Sequence, residues 1–500
     1  MVRYEPAAQA RPVFSMVVAG MSFLMAAWAG ARSAHADDTA SGRTDERSPL
    51  QAPVAFRVYQ RDEMGQAEIP VILAPGLDQA VICSAELTGL PERTVCSFVD
   101  GKFTGVPTGG PYHVTAKVKV GDAERTLSVE PIFVGDLWVL AGQSNMQGIG
   151  DLIDVTPPHP KVMALEHDGR WVRAQEPLHW WLIDQKRQKT HPLGAGLGLP
   201  LRVTLVKHTD VPIGLLPCAV GGTYMVQWAP AKKELGRGSL YGAMLDQVKK
   251  AGGKVKGMLW YQGEAEHGEA NAKAFPLVFP AFIAAVREDL QRPDLPFYFV
   301  QIGRTLENSS AKGWNAVQET QRLVPDQVPH TAVVAVVDLE MDDFIHVGTQ
   351  GLKRAGNRLA LIALGKLYGQ AEATTPTLDN VMKGPDGPDR KLFVKFKGVN
   401  KREEQDSGQK PPRPIGLMPQ RHIAGFSIRR ADDTEIPLIF DAAVGADGET
   451  VVLKLTGEIP PGSQLWYGHG LNPYCNLIDG LDMAVPVFGP INLDGVASTP

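Results

Sequence analysis

Cysteine is scarce in this chain: four among 500 residues, at positions 83, 96, 218 and 475, with no C-x-x-C pair. The usual zinc-ligand spacing is therefore missing, and no metal is expected. A charge excess of one sign is missing too. Fifty basic side chains against 55 acidic ones leave a formal charge of -5, and a mildly acidic chain is a poor candidate for nucleic-acid binding. No internal repeat of fixed period is apparent, which argues against a solenoid.

At the N-terminus, Arg3 and Arg11 precede the apolar stretch Val13 to Ala31, and Ala34-His35-Ala36 supplies a small-x-small cleavage site. Residues 1–36 read as an export signal, so the expected location is periplasmic or secreted, with no membrane association after cleavage. An uncleaved anchor is the alternative; the Gly and Ser content and the Ala-x-Ala site favour cleavage. No Cys follows the site, so a lipid anchor is not indicated. Cleavage would remove Arg3, Arg11, Arg32 and Glu5, taking the formal charge from -5 to -7. In an oxidising compartment Cys83 and Cys96, close together in one β-like region, are the expected disulfide, while Cys218 and Cys475 lie far apart in apolar surroundings.

Residues 37–51 are polar and without periodicity, a linker behind the signal. Period-two patterning then sets in: Val114, Ala116, Val118 and Val120 alternate with polar residues, Gly121-Asp122 marks a turn, and a strand follows through Leu127 and Val129. Residues 52–130 thus read as a small antiparallel β domain. From Ile132 the texture changes to short apolar strands, at 137–141, 212–216, 255–260, 296–302 and 331–337, alternating with helical segments at 239–250, 272–290, 314–323 and 350–367. That alternation predicts an α/β fold with a central parallel sheet over 131–369. Alternating strands return at 377–495, a second antiparallel β domain of sandwich type. Within it the charged, Pro-rich stretch 400–414 reads as a mobile loop.

The stretch that organises the chain is Gly142-Gln143-Ser144-Asn145-Met146, directly after the apolar run Leu137 to Ala141. A Ser there stands at the carboxyl end of the sheet, where open α/β folds bind ligands, and is a candidate nucleophile. It is not the Gly-x-Ser-x-Gly elbow, because Met146 occupies the last position, so a different hydrolase architecture is required. Read alone, Ser and Asn after a strand are ordinary turn and capping residues. Three further stretches fall at strand ends. Gly221-Gly222-Thr223 lets a backbone N–H approach a substrate oxygen. Trp260-Tyr261-Gln262-Gly263-Glu264 offers the Gln262 amide to an oxyanion. In Asp342-Asp343-Phe344-Ile345-His346 an Asp three residues before a His can orient the imidazole.

Together these four blocks, with Trp228, resemble the sialate O-acetylesterase family of SGNH-type hydrolases, which includes acetylxylan esterase relatives. Leu295 to Gln301 and Gly356 to Ala360 look similar as well. The resemblance is strong over roughly 131–369 and weaker in the flanking β domains. It implies a flavodoxin-like hydrolase with Ser144 as nucleophile, His346 as general base and Asp343 as its orienting acid. It also implies an oxyanion hole from the Ser144 and Gly222 N–H groups and the Gln262 side chain. Three departures stand out: Gln262 occupies the place of the generic Asn, Val347 follows His346 where relatives often have Pro, and Asp342 competes with Asp343.

The expected activity is removal of O-acetyl groups from carbohydrate, most specifically from sialic acid, by a serine esterase without cofactor. The alternatives are an esterase of acetylated xylan or another polysaccharide, and a non-catalytic carbohydrate-binding protein. Glu264, Glu266, His267 and Glu269 crowd together without a metal-ligand spacing and read as a solvated helix start. Trp180 and Trp181 fit either a sugar-stacking platform or a packed cluster. Oligomeric state is left open.

Overall fold

The apolar run before Ser144 is the end of a 20-residue strand, β1 (Ala123–Gly142). The computed structural model describes residues 50–77, 80–179, 194–385, 387, 389–401, 415–416 and 422–498. The signal and almost all of the linker, Trp180 and Trp181, and most of the 400–414 loop lie outside the described residues. From Ile132 to Gly142 every residue of β1 is buried, the pattern of a strand covered on both faces. Its first half pairs antiparallel with Gly109–Val120, which pairs in turn with Ala80–Thr88. One strand thus runs through the change of texture at Ile132.

Six more strands complete the central sheet: β2 (Val162–Leu165), β3 (Trp171–Arg173), β4 (Ile213–Pro217), β5 (Gly257–Tyr261), β6 (Phe297–Gln301) and β7 (Thr331–Ala335). The order is β3-β2-β4-β1-β5-β6-β7. All neighbours are parallel except β3 with β2. After β4 the chain crosses β1 to build the other side, so the carboxyl end of β1 is a topological switch point, where such sheets bind ligands.

The connections are α1 (Ser144–Gln147), α2 (Gly198–Thr209), α3 (Leu240–Ala251), α4 (Glu269–Asp289), α5 (Ala311–Gln327) and α6 (Thr349–Tyr368). Ser239 caps α3 and Ser310 caps α5, each accepting the N–H three residues on. Helix α4 is apolar and long enough to cross a membrane by length and composition. Its Phe275, Phe279 and Phe282 are buried, with Phe279 and Phe282 against Trp260 and Phe297, as in a core helix. The sequence pattern did not anticipate β2 or β3, because strands of four and three residues are too short to show a period, nor α2, because it is buried nearly all round and carries no amphipathic stripe.

Around this core lie smaller antiparallel sheets. Gln66–Pro70, Lys102–Pro107 and Ser97–Val99 form one of three strands. Ile69, Phe103, Val106 and Val114 share a buried cluster there. Beyond α6, two four-stranded antiparallel sheets, one holding Lys391–Lys397 and the other Gln464–Tyr467, share the cluster of Leu392, Val394, Leu453, Leu465 and Phe488.

The expected disulfide is not formed. Cys83 and Cys96 are both free, because they serve different sheets. Cys83 lies on the strand paired with Gly109–Val120, its Sγ 3.7 Å from Val81 O. Cys96 precedes the strand Ser97–Val99, which pairs with Lys102–Pro107, and its Sγ faces Gly105 O at 3.6 Å.

Candidate active site

Ser144 opens α1 at the end of β1 and is half-buried, while Asn145, Met146 and Gln147 behind it are buried. The turn into it depends on Gly142, whose φ is +133° and whose Cα faces Tyr261 so closely that a Cβ would lie 2.1 Å from Tyr261 O. Only Gly fits there. The next N–H, of Gln143, donates to that same carbonyl at 2.8 Å.

His346 reaches the site on the loop after β7. Its Nδ1 lies 2.6 Å from Asp343 Oδ2, while Asp343 Oδ1 accepts the N–H groups of Ile345 and His346 at 2.8 and 2.7 Å. Partial burial would raise the Asp343 pKa, but the His346 side chain and those two N–H groups outweigh it and hold the carboxyl below its ordinary value. Asp342 is occupied elsewhere, its Oδ2 accepting the Asp151 N–H at 3.0 Å. Asn145 joins this loop to the serine turn: its Oδ1 accepts Val347 N–H at 3.0 Å and its Nδ2 lies 3.5 Å from Ile345 O, so both neighbours of His346 are tied to the residue after Ser144. Among the described residues no hydrogen bond links Ser144 Oγ to His346, and such contacts commonly tighten only with substrate bound.

The loop after β4 is stitched to the same turn. Cys218 and Val220 donate to Leu140 O and Gly142 O at 2.8 and 3.0 Å, and Gly221 N–H donates to Gln147 Oε1 at 2.6 Å. A Cβ on Gly221 would lie 3.4 Å from that of Ser144, so the loop packs directly on the serine. Gly222 follows with φ +65° and open space where a Cβ would be. Neither its N–H nor that of Ser144 has an acceptor among the described residues.

Gln262 is placed differently. It is fully buried, and its amide nitrogen donates to Thr223 O at 3.2 Å and to Glu266 Oε1 at 3.0 Å. Both partners are acceptors, which fixes the amide orientation. To donate to an oxyanion it would have to give up one of them.

A family model described as "Carbohydrate esterase, sialic acid-specific acetylesterase" matches residues 134–364. A probable carbohydrate esterase of Arabidopsis thaliana is 33% identical over 193 residues, 34% of this chain and 70% of that protein. The chain belongs to the carbohydrate esterases. Sialate O-acetylesterase of Homo sapiens is 24% identical over 315 residues, and the match spans 53% of this chain and 60% of the human protein. The crystal structure of a carbohydrate acetylesterase from Xanthomonas citri is 22% identical and superposes with a TM-score of 0.62, covering 88% of this chain and 99% of that one. The fold is thus shared along nearly the whole chain, and the protein is a carboxylic ester hydrolase.

In this carbohydrate esterase the cluster after β5 is a solvated helix start only at Glu269, which is exposed in the first turn of α4; for Glu264 and Glu266 that expectation is corrected. Glu264 and Glu266 are 3% and 4% exposed. Glu264 Oε1 accepts from Asn145 Nδ2 at 2.7 Å, and Glu266 Oε1 accepts Met225 N–H at 2.6 Å besides the Gln262 amide. Burial raises both carboxyl pKa values, opposed by these donors. Each acid holds a loop: Glu264 the one carrying His346, through Asn145, and Glu266 the one carrying Gly222. Asn145, Gln147, Glu264 and Glu266 were the residues sequence reasoning missed. The available signal was position, since all four sit within five residues of the end of β1 or β5, in or just after two blocks already singled out.

Proposed function

We propose that the protein is an exported serine esterase that removes O-acetyl groups from carbohydrate, with O-acetylated sialic acid its substrate. The observation that carries the catalytic reading is the Asp343–His346 pair tied through Asn145 to the turn that presents Ser144. Ser144 Oγ attacks the acetyl carbonyl and passes its proton to His346 Nε2, with Asp343 on Nδ1 holding the ring and balancing the imidazolium. The tetrahedral oxyanion takes the unpartnered N–H groups of Ser144 and Gly222. His346 then returns the proton to the departing sugar hydroxyl, leaving an acetyl-serine. Water, deprotonated by His346, attacks that ester and releases acetate and free Ser144. Gln262 and Glu266 act by holding Thr223 and Met225, and so fix the Gly222 loop.

Support for sialic acid comes from the description of the matching family model and from the Homo sapiens relative. Support for export is the pattern of residues 1–36. The test is acetate release from O-acetylated sialic acids, acetylated xylo-oligosaccharides and simple acetyl esters, alongside localisation of the full-length chain. Turnover of sialate esters well above the others, abolished in Ser144→Ala, is the expected result. A preference for xylo-oligosaccharides would replace the sialate assignment, and no turnover of any ester would favour a binding protein.

A further inference from the structure

At the opposite end of the central sheet, Arg202 on α2 is fully buried, and none of its three guanidinium nitrogens has a hydrogen-bond partner among the described residues. Its Cζ lies 4.4 Å from the centre of the Trp138 ring. Trp138 Nε1 and Tyr368 Oη are also buried without a partner that meets hydrogen-bond geometry. Tyr368, the last residue of α6, sits close enough to Asp136 and Trp138 for its hydroxyl to interact with both, and within electrostatic reach of Arg202. Two further cations approach the Tyr368 ring: Arg61 Cζ at 5.8 Å and Lys256 Nζ at 5.7 Å.

Among the described residues, the carboxylate that acts on Arg202 is Asp136, and it is already engaged. Asp136 accepts Arg61 through both oxygens, at 3.0 and 2.9 Å, and the Gln60 amide at 3.1 Å. Arg61, Lys256 and Arg202 therefore face a single buried negative charge. An uncompensated buried guanidinium is costly unless something neutralises it. A ring face offers attraction to the cation but accepts no conventional hydrogen bond along the N–H directions. A water molecule would accept two of these hydrogens and leave the charge unbalanced. Burial lowers the Arg202 pKa to about 9, with Tyr368 and Asp136 opposing the shift, so the group is a cation at neutral pH.

We propose that the unpaired guanidinium of Arg202, stacked over Trp138, is a binding site for a small monovalent anion, chloride being the ion it would take. The guanidinium supplies both the charge and the N–H donors. The site is structural: along β1 it lies six residues, roughly 20 Å, from Ser144. A cleft of about 650 Å³ opens beside Arg61 and Lys256, its lining mixing Lys254 and Arg292 with Asp62, Glu63 and Asp294.

The test compares thermal unfolding of the full chain in sodium chloride, bromide and gluconate at equal ionic strength, and locates bromide by anomalous scattering in crystals. Chloride and bromide should raise the midpoint saturably over gluconate. A site half-filled at about 5 mM would shift the folding equilibrium roughly 30-fold at about 150 mM halide. Arg202→Met should lose that difference while unfolding with the same midpoint in all three salts. A bromide peak within hydrogen-bond reach of Arg202 supports the site even if that variant fails to fold. Water alone beside Arg202 after bromide soaking, or an equal halide effect in Arg202→Met, would overturn it.

Discussion

The Asp343–His346 pair and the group formed by Gln262, Glu264 and Glu266 both lie on loops around Ser144, but in opposite surroundings. Asp343 and His346 keep 37% and 19% of their side chains exposed. Their geometry is local, three residues of one loop closed by hydrogen bonds to its own backbone, and the carboxylate is favoured there. Gln262, Glu264 and Glu266 are nearly inaccessible, reach across the chain, and hold loops from β1, β4 and β7 at once. Their carboxyls are disfavoured as anions. The proposed proton relay thus sits in wet, local surroundings, whereas the parts that fix where the loops stand are dry and long-range. A change in the first group should fall on turnover and leave stability nearly alone; a change in the second should fall on both.

The largest effect expected is at the nucleophile and base. Ser144→Ala and His346→Ala should each lower kcat for an acetyl ester by roughly 10⁴-fold or more, with the double variant little worse, because the two act as one unit. Losses that multiply in the double variant would show that they do not. Next, Asp343→Asn should reduce kcat by roughly 10²–10⁴-fold at unchanged melting temperature, and Asp342→Asn should do little. The reverse ranking would move the orienting role to Asp342. Gln262→Ala comes third and sharpens the contrast: it leaves Glu266 with one donor fewer and Thr223 O without its Gln262 partner, so unfolding free energy should drop by about 1–3 kcal/mol while kcat falls. A kcat loss in a protein of unchanged stability would instead make Gln262 a direct oxyanion donor.

The smallest effect is a pH slope from a buried acid outside both groups. Burial raises Glu176 to about 8, opposed by the Gly196 and Leu178 N–H groups. The folded chain therefore keeps a proton that the unfolded chain loses above about 4.5, and stability falls as pH rises from there to about 8. Buried His179 works the other way: held down to about 4, it stays neutral where the unfolded chain protonates below 6.5, so its contribution is lost as pH falls from 6.5 to 4. The two slopes offset one another at mildly acidic pH, leaving the Glu176 slope visible between about 6.5 and 8. Urea unfolding at pH 6.5 and 8 should show it in the wild type and not in Glu176→Gln; a slope that survives in the variant would place it on another group.

The main strands and helices of the central sheet were legible because each carries a clear period or an unbroken apolar run long enough to read. The gathering of Ser144, Gly222 and the Asp343/His346 loop at strand ends was legible because Gly, Ser, Asp and His have few reasons to cluster there, whereas the Gln262 amide, expected in the oxyanion hole, is held by Thr223 O and Glu266. Three features were not. The strands β2 and β3 are too short for periodicity. Glu264 and Glu266 look like any acidic helix start, since burial of a carboxylate is decided by partners such as Asn145 and Met225 that are distant in sequence. Cys83 and Cys96 are near in sequence, yet one lies on and the other just before strands that pair with different partners, which depends on a sheet topology no local spacing encodes.

The most direct measurement of the central claim is reaction with a fluorophosphonate, followed by peptide mass mapping and residual acetyl-esterase activity on the same samples. The account predicts one adduct, on the peptide carrying Ser144, activity lost in proportion to its occupancy, and little labelling in His346→Ala. An adduct on another serine, or activity that survives full occupancy of Ser144, would contradict it.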